Sequence, residues 1–304
     1  MAQVLIHEVG PRDGLQVESR VVPTETKLDW LRRLIGSGLD IVQVGSFVHP
    51  QKVPQMADTD ELFRQLAAAK RPGNAVLSGL VLNEKGLERG LACGVEMFCM
   101  GVSASETHSR KNTGMGTDDA TRRIILTALE AKSAAHEVQV SVQSAFGCGF
   151  EDAVPEARVM GIVAAYLEAG LTSISLADTA GHAHPSQVSK YVRRILGMHP
   201  DAKVTAHIHN TYGVGMANVY AALDAGATSI EASFGGLGGC PFTKVAAGNV
   251  ATEDLVHALQ RTGQRADIQL GALIAVARDV AAFLGRELPG CVYKIGPITA
   301  GTPT

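Results

Sequence analysis

Short runs rich in β-branched and other apolar residues alternate along this chain with longer stretches of helical periodicity. Four times a helical stretch ends in a small residue plus glycine, and an apolar run begins at once. These junctions are Ser37-Gly38 before LDIVQV, Cys93-Gly94 before VEMFCM, Ala169-Gly170 before LTSISL and Ala225-Gly226 before ATSIEA. Glycine ends helices well because it takes positive φ without a Cβ clash, and apolar runs of this length suit buried strands. Further strands are expected over residues 4–9, 75–81, 138–144 and 203–209, which makes eight. Helices are expected over 24–35, 117–136, 155–168, 185–196 and 214–224, with Pro155 and Pro185 where a first-turn proline is tolerated. Strict alternation of the two element types implies a parallel sheet with right-handed crossovers. Eight such units suit a closed (β/α)8 TIM barrel; periodicity alone leaves a doubly wound open sheet as the alternative.

The end of the chain breaks the pattern. Helices are expected over 252–260 and 270–284, followed by an irregular tail over 285–304 with too many Gly and Pro residues for a regular element. This tail is expected to be disordered or to fold over the barrel mouth or a partner subunit. No linker or composition shift marks a boundary, so residues 1–304 read as one catalytic barrel domain.

Composition narrows the function. The chain is 46% apolar with a net charge of -3, and both signs are scattered. No basic run is present, so nucleic acid is not an expected partner. The five cysteines are odd in number and form no CxxC pair, which argues against a disulfide framework or zinc knuckle and for a reducing compartment. No signal peptide and no membrane-spanning run is apparent, so a cytoplasmic location without a membrane partner is expected.

In a parallel barrel the active site forms at the C-terminal ends of the strands, and the polar residues gather there. The first strand runs into Arg12-Asp13-Gly14, the second ends near Gln43 and Ser46, the sixth reaches Asp178-Thr179, and the seventh ends in HIHN at 207–210. The eighth leads into GGLGGC at 235–240. His207 and His209, two apart on a strand, point to one face. With a carboxylate, naturally Asp13, and a neutral oxygen they form a mixed N/O set for Mg2+, Mn2+, Co2+ or Zn2+. A hydrogen-bonded histidine pair closing the barrel explains HxH alone equally well; the other strand-end residues favour the metal. Asn249 offers either that neutral oxygen or a helix N-cap, and Glu253 reads as a first-turn acid favoured by the helix dipole. Cys240 sits in a glycine-rich loop without the GK[ST] or GxGxxG pattern of a phosphate cradle. A mobile loop and a thiol together suit acid/base chemistry, against the alternative of an inert buried cysteine.

These segments resemble the 3-hydroxy-3-methylglutaryl-CoA lyase family, metal-dependent barrels related to isopropylmalate and homocitrate synthases. The resemblance spans nearly the whole chain: EVGPRDGLQ at 8–16, GSFVHPQKVPQMAD at 45–58, SASETHSRKN at 103–112, ADTAG at 177–181, HIHNTYG at 207–213 and the Gly-rich Cys loop running into GNVATEDLV. It implies that Asp13, His207, His209 and Asn249 bind a divalent cation, Mg2+ or Mn2+ first, with no organic cofactor. It further implies that Arg12 stabilises an enolate and that Cys240 donates or accepts a proton, with Asp178 as a third catalytic residue. The implied reaction is retro-Claisen cleavage of a CoA thioester, 3-hydroxy-3-methylglutaryl-CoA to acetyl-CoA and acetoacetate, by a homodimer. A substrate in this mouth is expected to meet Gln16, Gln43, Ser46, Lys52, Thr179 and Gly238. Two positions depart from the family: Gln43 stands where Glu is usual, and HIHN replaces HxHD. Both remove a negative charge, and a different or uncharged acyl tail is the consequence to look for.

Overall fold

The computed structural model describes residues 3–150, 154–239 and 248–298. Eight parallel strands close into a barrel: β1 (Leu5–Glu8), β2 (Ile41–Ser46), β3 (Val76–Leu80), β4 (Met97–Ser103), β5 (Glu137–Gln143), β6 (Ser173–Asp178), β7 (Lys203–Ile208) and β8 (Ser229–Ala232). β1 pairs with both β2 and β8, which closes the ring and excludes the open sheet. Each strand connects to the next through at least one helix.

The glycine junctions behave as expected: Gly38, Gly94, Gly170 and Gly226 have φ of 92°, 88°, 77° and 105°. The strands after them nevertheless begin about two residues later than the apolar runs. After three of the four glycines the next residue is still bonded to its helix: Val95 N to Gly90 O (3.3 Å), Leu171 N to Tyr166 O (2.9 Å) and Ala227 N to Ala222 O (2.9 Å). This is the six-to-one bond of a Schellman ending. A fifth junction of this kind lacks glycine. The helix expected over 117–136 stops at Ser133, Ala135 takes φ 64°, and His136 N bonds Ala131 O at 3.3 Å. The expected tail also contains structure, a short helix Val292–Ile295. Gly290 N bonds Gly235 O at 2.8 Å and Leu288 packs on Gly235, so residues 285–298 brace the turn that leaves β8.

The strands alternate in an unusual sense. Val140 and Val142 of β5, Ile174 and Leu176 of β6, and Val204, Ala206 and Ile208 of β7 belong to the core between barrel and helices. The intervening residues face the barrel interior, and there the two halves differ. A small apolar cluster, Ile41, Met97 and Cys99 with Val76 and Leu80, fills the side made by β2 to β4. The side made by β5 to β8 is polar. TIM-barrel interiors are usually filled by bulky branched residues, so half of this one has been given up to hydrogen-bonding groups.

Under the mouth lie two fully buried carboxyl groups. Glu8 accepts from Gly10 N (2.6 Å) and Phe234 N (3.0 Å), and Glu253 accepts from Gly235 N (3.0 Å). Burial pushes Glu8 up to about 7 and Glu253 up to about 8, the latter aided by the charges of Asp254 and Glu8. Glu253 is the first-turn acid expected from the sequence, and it braces the Gly235 turn from a fully buried position. Both raised carboxyls bind more protons folded than unfolded. Stability is fully present below their ordinary value of 4.5 and falls as pH rises towards 8. Glu253→Gln is expected to flatten that fall, with urea titrations showing it gain on the order of 2–3 kcal/mol relative to the parent between pH 5.5 and 8.5. Parallel pH profiles for the two proteins would show that Glu253 is ionised in the fold.

Candidate metal and substrate site

Residues Gly10–Gly14 form one wide π-type turn after β1, with Asp13 N bonded to Val9 O at 2.7 Å. The turn delivers Arg12 and Asp13 together to the mouth, both half-buried, with an Arg12 nitrogen on Asp13 Oδ1 and Arg12 Nε donating to Gln43 Oε1. The two are no surface ion pair. They line a cavity of about 630 Å3 that opens at the C-terminal ends of the strands and also touches His207 and His209.

Asp13, His207 and His209 each turn one ligand atom to a common point, all within 4.8 Å of one another. His207 Nε2 and His209 Nε2 face each other at 3.1 Å. Burial, and then the charge of His207, push His209 down to about 4, so its imidazole is neutral. Burial acts to raise Asp13, but Arg12, the two histidines and the Asn249 amide outweigh it and hold its carboxyl below the usual range. Asn249 does not cap the helix Thr252–Arg261, whose N-cap is Ala251. Its amide instead donates to Asp13 Oδ2 (2.7 Å) and Leu237 O (3.0 Å), and its buried Oδ1 finds no partner among the described residues. A buried carbonyl oxygen left unpaired beside two imidazoles and a carboxylate suits a cation ligand. Gly238 is held against this group at φ 114°, and a Cβ there would lie 2.4 Å from Asn249 Nδ2 and 2.8 Å from Asp13 Oδ2. The position admits no side chain.

Glu231 completes the site, and the sequence reading passed over it. Strand register places it beside both His7 and His207. Its Oε2 lies 2.7 Å from His207 Nδ1, its Oε1 lies 3.6 Å from His7 Nδ1, and His7 Nε2 meets Ser78 Oγ at 2.8 Å. Burial would raise the Glu231 carboxyl, but its two histidine partners drive it far below the ordinary range. An ionised Glu231 fixes the proton of His207 on Nδ1 and turns Nε2 to the cation point. The signal was the inward alternation of SIEA: an acid on the interior face of a buried strand needs a partner.

Other expected residues are distributed unevenly. Gln16, Gln43, Lys52 and Thr179 line the cavity. Ser46 is buried and does not line it; its Oγ lies 3.5 Å from Gln16 Oε1. Asp178 does not line it either. Its carboxylate accepts from Ala183 N at 3.2 Å, and burial pushes it up to about 7, with the bonds to the loop backbone and the charge of His207 acting the other way. Asn210 stands outside the metal group, its Oδ1 accepting from Gly215 N at 2.9 Å. Its exchange for Asp therefore touches a helix start. Cys240 lies outside the described residues.

The HMGL-like family model matches residues 3–280. The chain is 39% identical to an (R)-citramalyl-CoA lyase of Chloroflexus aurantiacus, across 98% of this chain and 96% of the relative. It is 35% identical to a hydroxymethylglutaryl-CoA lyase of Bacillus subtilis, across 94% and 95%. Among solved structures it resembles an HMG-CoA lyase from Acinetobacter baumannii in complex with coenzyme A and 3-methylmalate, with a TM-score of 0.91 and 36% identity across 99% and 98% of the two chains.

Proposed function

Because the chain belongs to the HMGL-like family, a family of carbon–carbon lyases, we propose that it cleaves a hydroxyacyl-CoA thioester by metal-dependent retro-Claisen chemistry and releases acetyl-CoA. The observation that carries this reading is the convergence of Asp13, His207, His209 and the unpaired Asn249 Oδ1 beside Arg12 at one cavity. A divalent cation held by these four groups, Mg2+ or Mn2+ by preference, would supply Lewis acidity to the hydroxyl oxygen on the carbinol carbon. A base takes the proton of the tertiary hydroxyl, the carbonyl forms on that carbon, and the bonding pair passes to the thioester as an enolate. The guanidinium of Arg12 compensates the developing enolate oxygen. Protonation of the enolate carbon, the role expected of Cys240, yields acetyl-CoA. Lys52, which lines the cavity, would meet a phosphate of the carrier. The same reading carries a homodimer, to be checked by light scattering, and a cytoplasmic location.

A coupled assay for acetyl-CoA with and without Mg2+ or Mn2+ tests the proposal on two thioesters, 3-hydroxy-3-methylglutaryl-CoA and (R)-citramalyl-CoA. Metal-dependent release from either supports it; release from neither by folded, metal-loaded protein sinks it. The second thioester earns its place through Gln43. A neutral amide on Arg12 leaves Asp13 as the one carboxylate on the guanidinium among the described residues, which favours an acyl group with its carboxylate directly on the carbinol carbon. Gln43→Glu is expected to lower kcat/KM for the citramalyl ester about tenfold relative to the hydroxymethylglutaryl ester, roughly 1.4 kcal/mol. An unaltered ratio would show that position 43 does not tune specificity.

A further inference from the structure

The cavity does not stop at the metal group. It runs down into the polar half of the barrel, where β5 and β6 supply Gln139, Ser141, Gln143, Ser175 and Ala177 to its wall. None of these is charged, and the lysines and arginines of the cavity lie elsewhere: Arg12 at the metal group, and Lys52, Lys111 and Arg123 on the loops and helices that follow β2 and β4. The wall is built for hydrogen bonding. Gln139 Nε2 is anchored on Thr205 Oγ1 at 3.0 Å. Ser175 is 1% exposed, lines the cavity, and its Oγ finds no partner among the described residues. A buried hydroxyl that faces a cavity unpaired is a feature that a ligand would satisfy. The neighbouring strand makes room for one of these hydroxyls: Gly101 pairs with Ser141, and a Cβ at Gly101 would lie 1.9 Å from Ser141 Oγ, so the serine occupies the place that a side chain there would take. Two adjacent strands thus present a glycine and a serine where a barrel layer usually holds bulk.

We propose that Ser141, Gln143 and Ser175 form a tail subsite for an uncharged, hydrogen-bonding substituent, longer than methyl, on the carbon that carries the hydroxyl. This rests on the lyase reading above. The carboxylate-bearing arm of that carbon goes to Arg12 and the metal group, and the remaining arm enters the neutral wall. A second carboxylate there would be buried without a cation, at a cost that a neutral hydroxyl avoids.

The test varies that remaining arm on the thioester that the enzyme cleaves, comparing methyl, hydroxymethyl and carboxymethyl by acetyl-CoA release. The hydroxymethyl ester is expected to match or exceed methyl in kcat/KM, and the carboxymethyl ester to fall at least about 100-fold below it. Ser175→Ala should lower the hydroxymethyl-to-methyl ratio about fivefold, one neutral hydrogen bond. Gln143→Lys should raise the carboxymethyl-to-methyl ratio about tenfold or more by supplying the missing cation. Cleavage of the methyl ester alone, or ratios that neither variant moves, overturns the subsite and leaves the lyase reading standing. Cleavage of none of the series overturns the lyase reading and the subsite with it. The two variants act in opposite directions on different esters, so a general loss of folding cannot imitate the expected pattern.

Discussion

Replacing His209 with alanine is expected to lower Mn2+ affinity by about 100-fold and to take lyase activity down with it. Four donors sharing a binding free energy on the order of 10 kcal/mol contribute roughly 2–3 kcal/mol each. His209 is the donor with least other employment: among the described residues its Nε2 meets only His207 Nε2, and its imidazole is neutral through burial and the His207 charge. In a purely structural histidine pair, the substitution would cost packing and leave metal affinity as it was. Calorimetric titration of Mn2+ into wild type and His209→Ala separates these cases, with the melting temperature of the metal-free proteins as a control for folding. Equal dissociation constants would remove His209 from the ligand set and return the HxH motif to barrel closure.

Much of this architecture was legible because its rules are local. A small residue and glycine before each apolar run announced four helix endings, and the structure gives all four glycines the positive φ that the rule requires. The fifth ending escaped because Ala135 adopts the same conformation with a Cβ, against its local preference and held there by the surrounding fold. The strand-end polar residues were legible for a topological reason: a closed parallel barrel brings every strand end to one mouth, so Asp13 and His207 need no closeness in sequence to meet. Direction within the mouth was not legible. Asp178 and Ser46 both stand at strand ends, yet the first turns to the loop backbone and the second is buried behind Gln16. Periodicity fixes a side chain's face on a strand, but the last residue of a strand is free to follow the turn that comes after it. Asn249 shows the reverse. Its helix-cap reading was sound by propensity, and the unpaired Oδ1 identifies the stronger demand on it.

Glu231→Gln is the complementary prediction, because it changes a charge and leaves shape nearly constant. An amide oxygen at Glu231 Oε2 can still accept from His207 Nδ1, so the ring stays oriented, but the negative charge that strengthens Nε2 as a donor is gone. The expected loss is about 10- to 100-fold in Mn2+ affinity, with activity falling in proportion at limiting metal and recovering in part when Mn2+ is raised. That recovery distinguishes the role proposed here from a residue that touches substrate, whose loss excess metal would not repair. His7 enters the same argument one step further out. It faces the other oxygen of Glu231 at 3.6 Å and is itself tied to Ser78, so the chain Ser78–His7–Glu231–His207 runs across the barrel floor to the metal group. If Glu231 acts through its charge, His7→Phe should weaken Mn2+ binding less than Glu231→Gln does, because it loosens the carboxylate without neutralising it. An equal or greater loss in His7→Phe would shift the explanation from the charge of Glu231 to the packing of the floor. Unchanged Mn2+ affinity in Glu231→Gln would show that His207 is aimed by the strand alone.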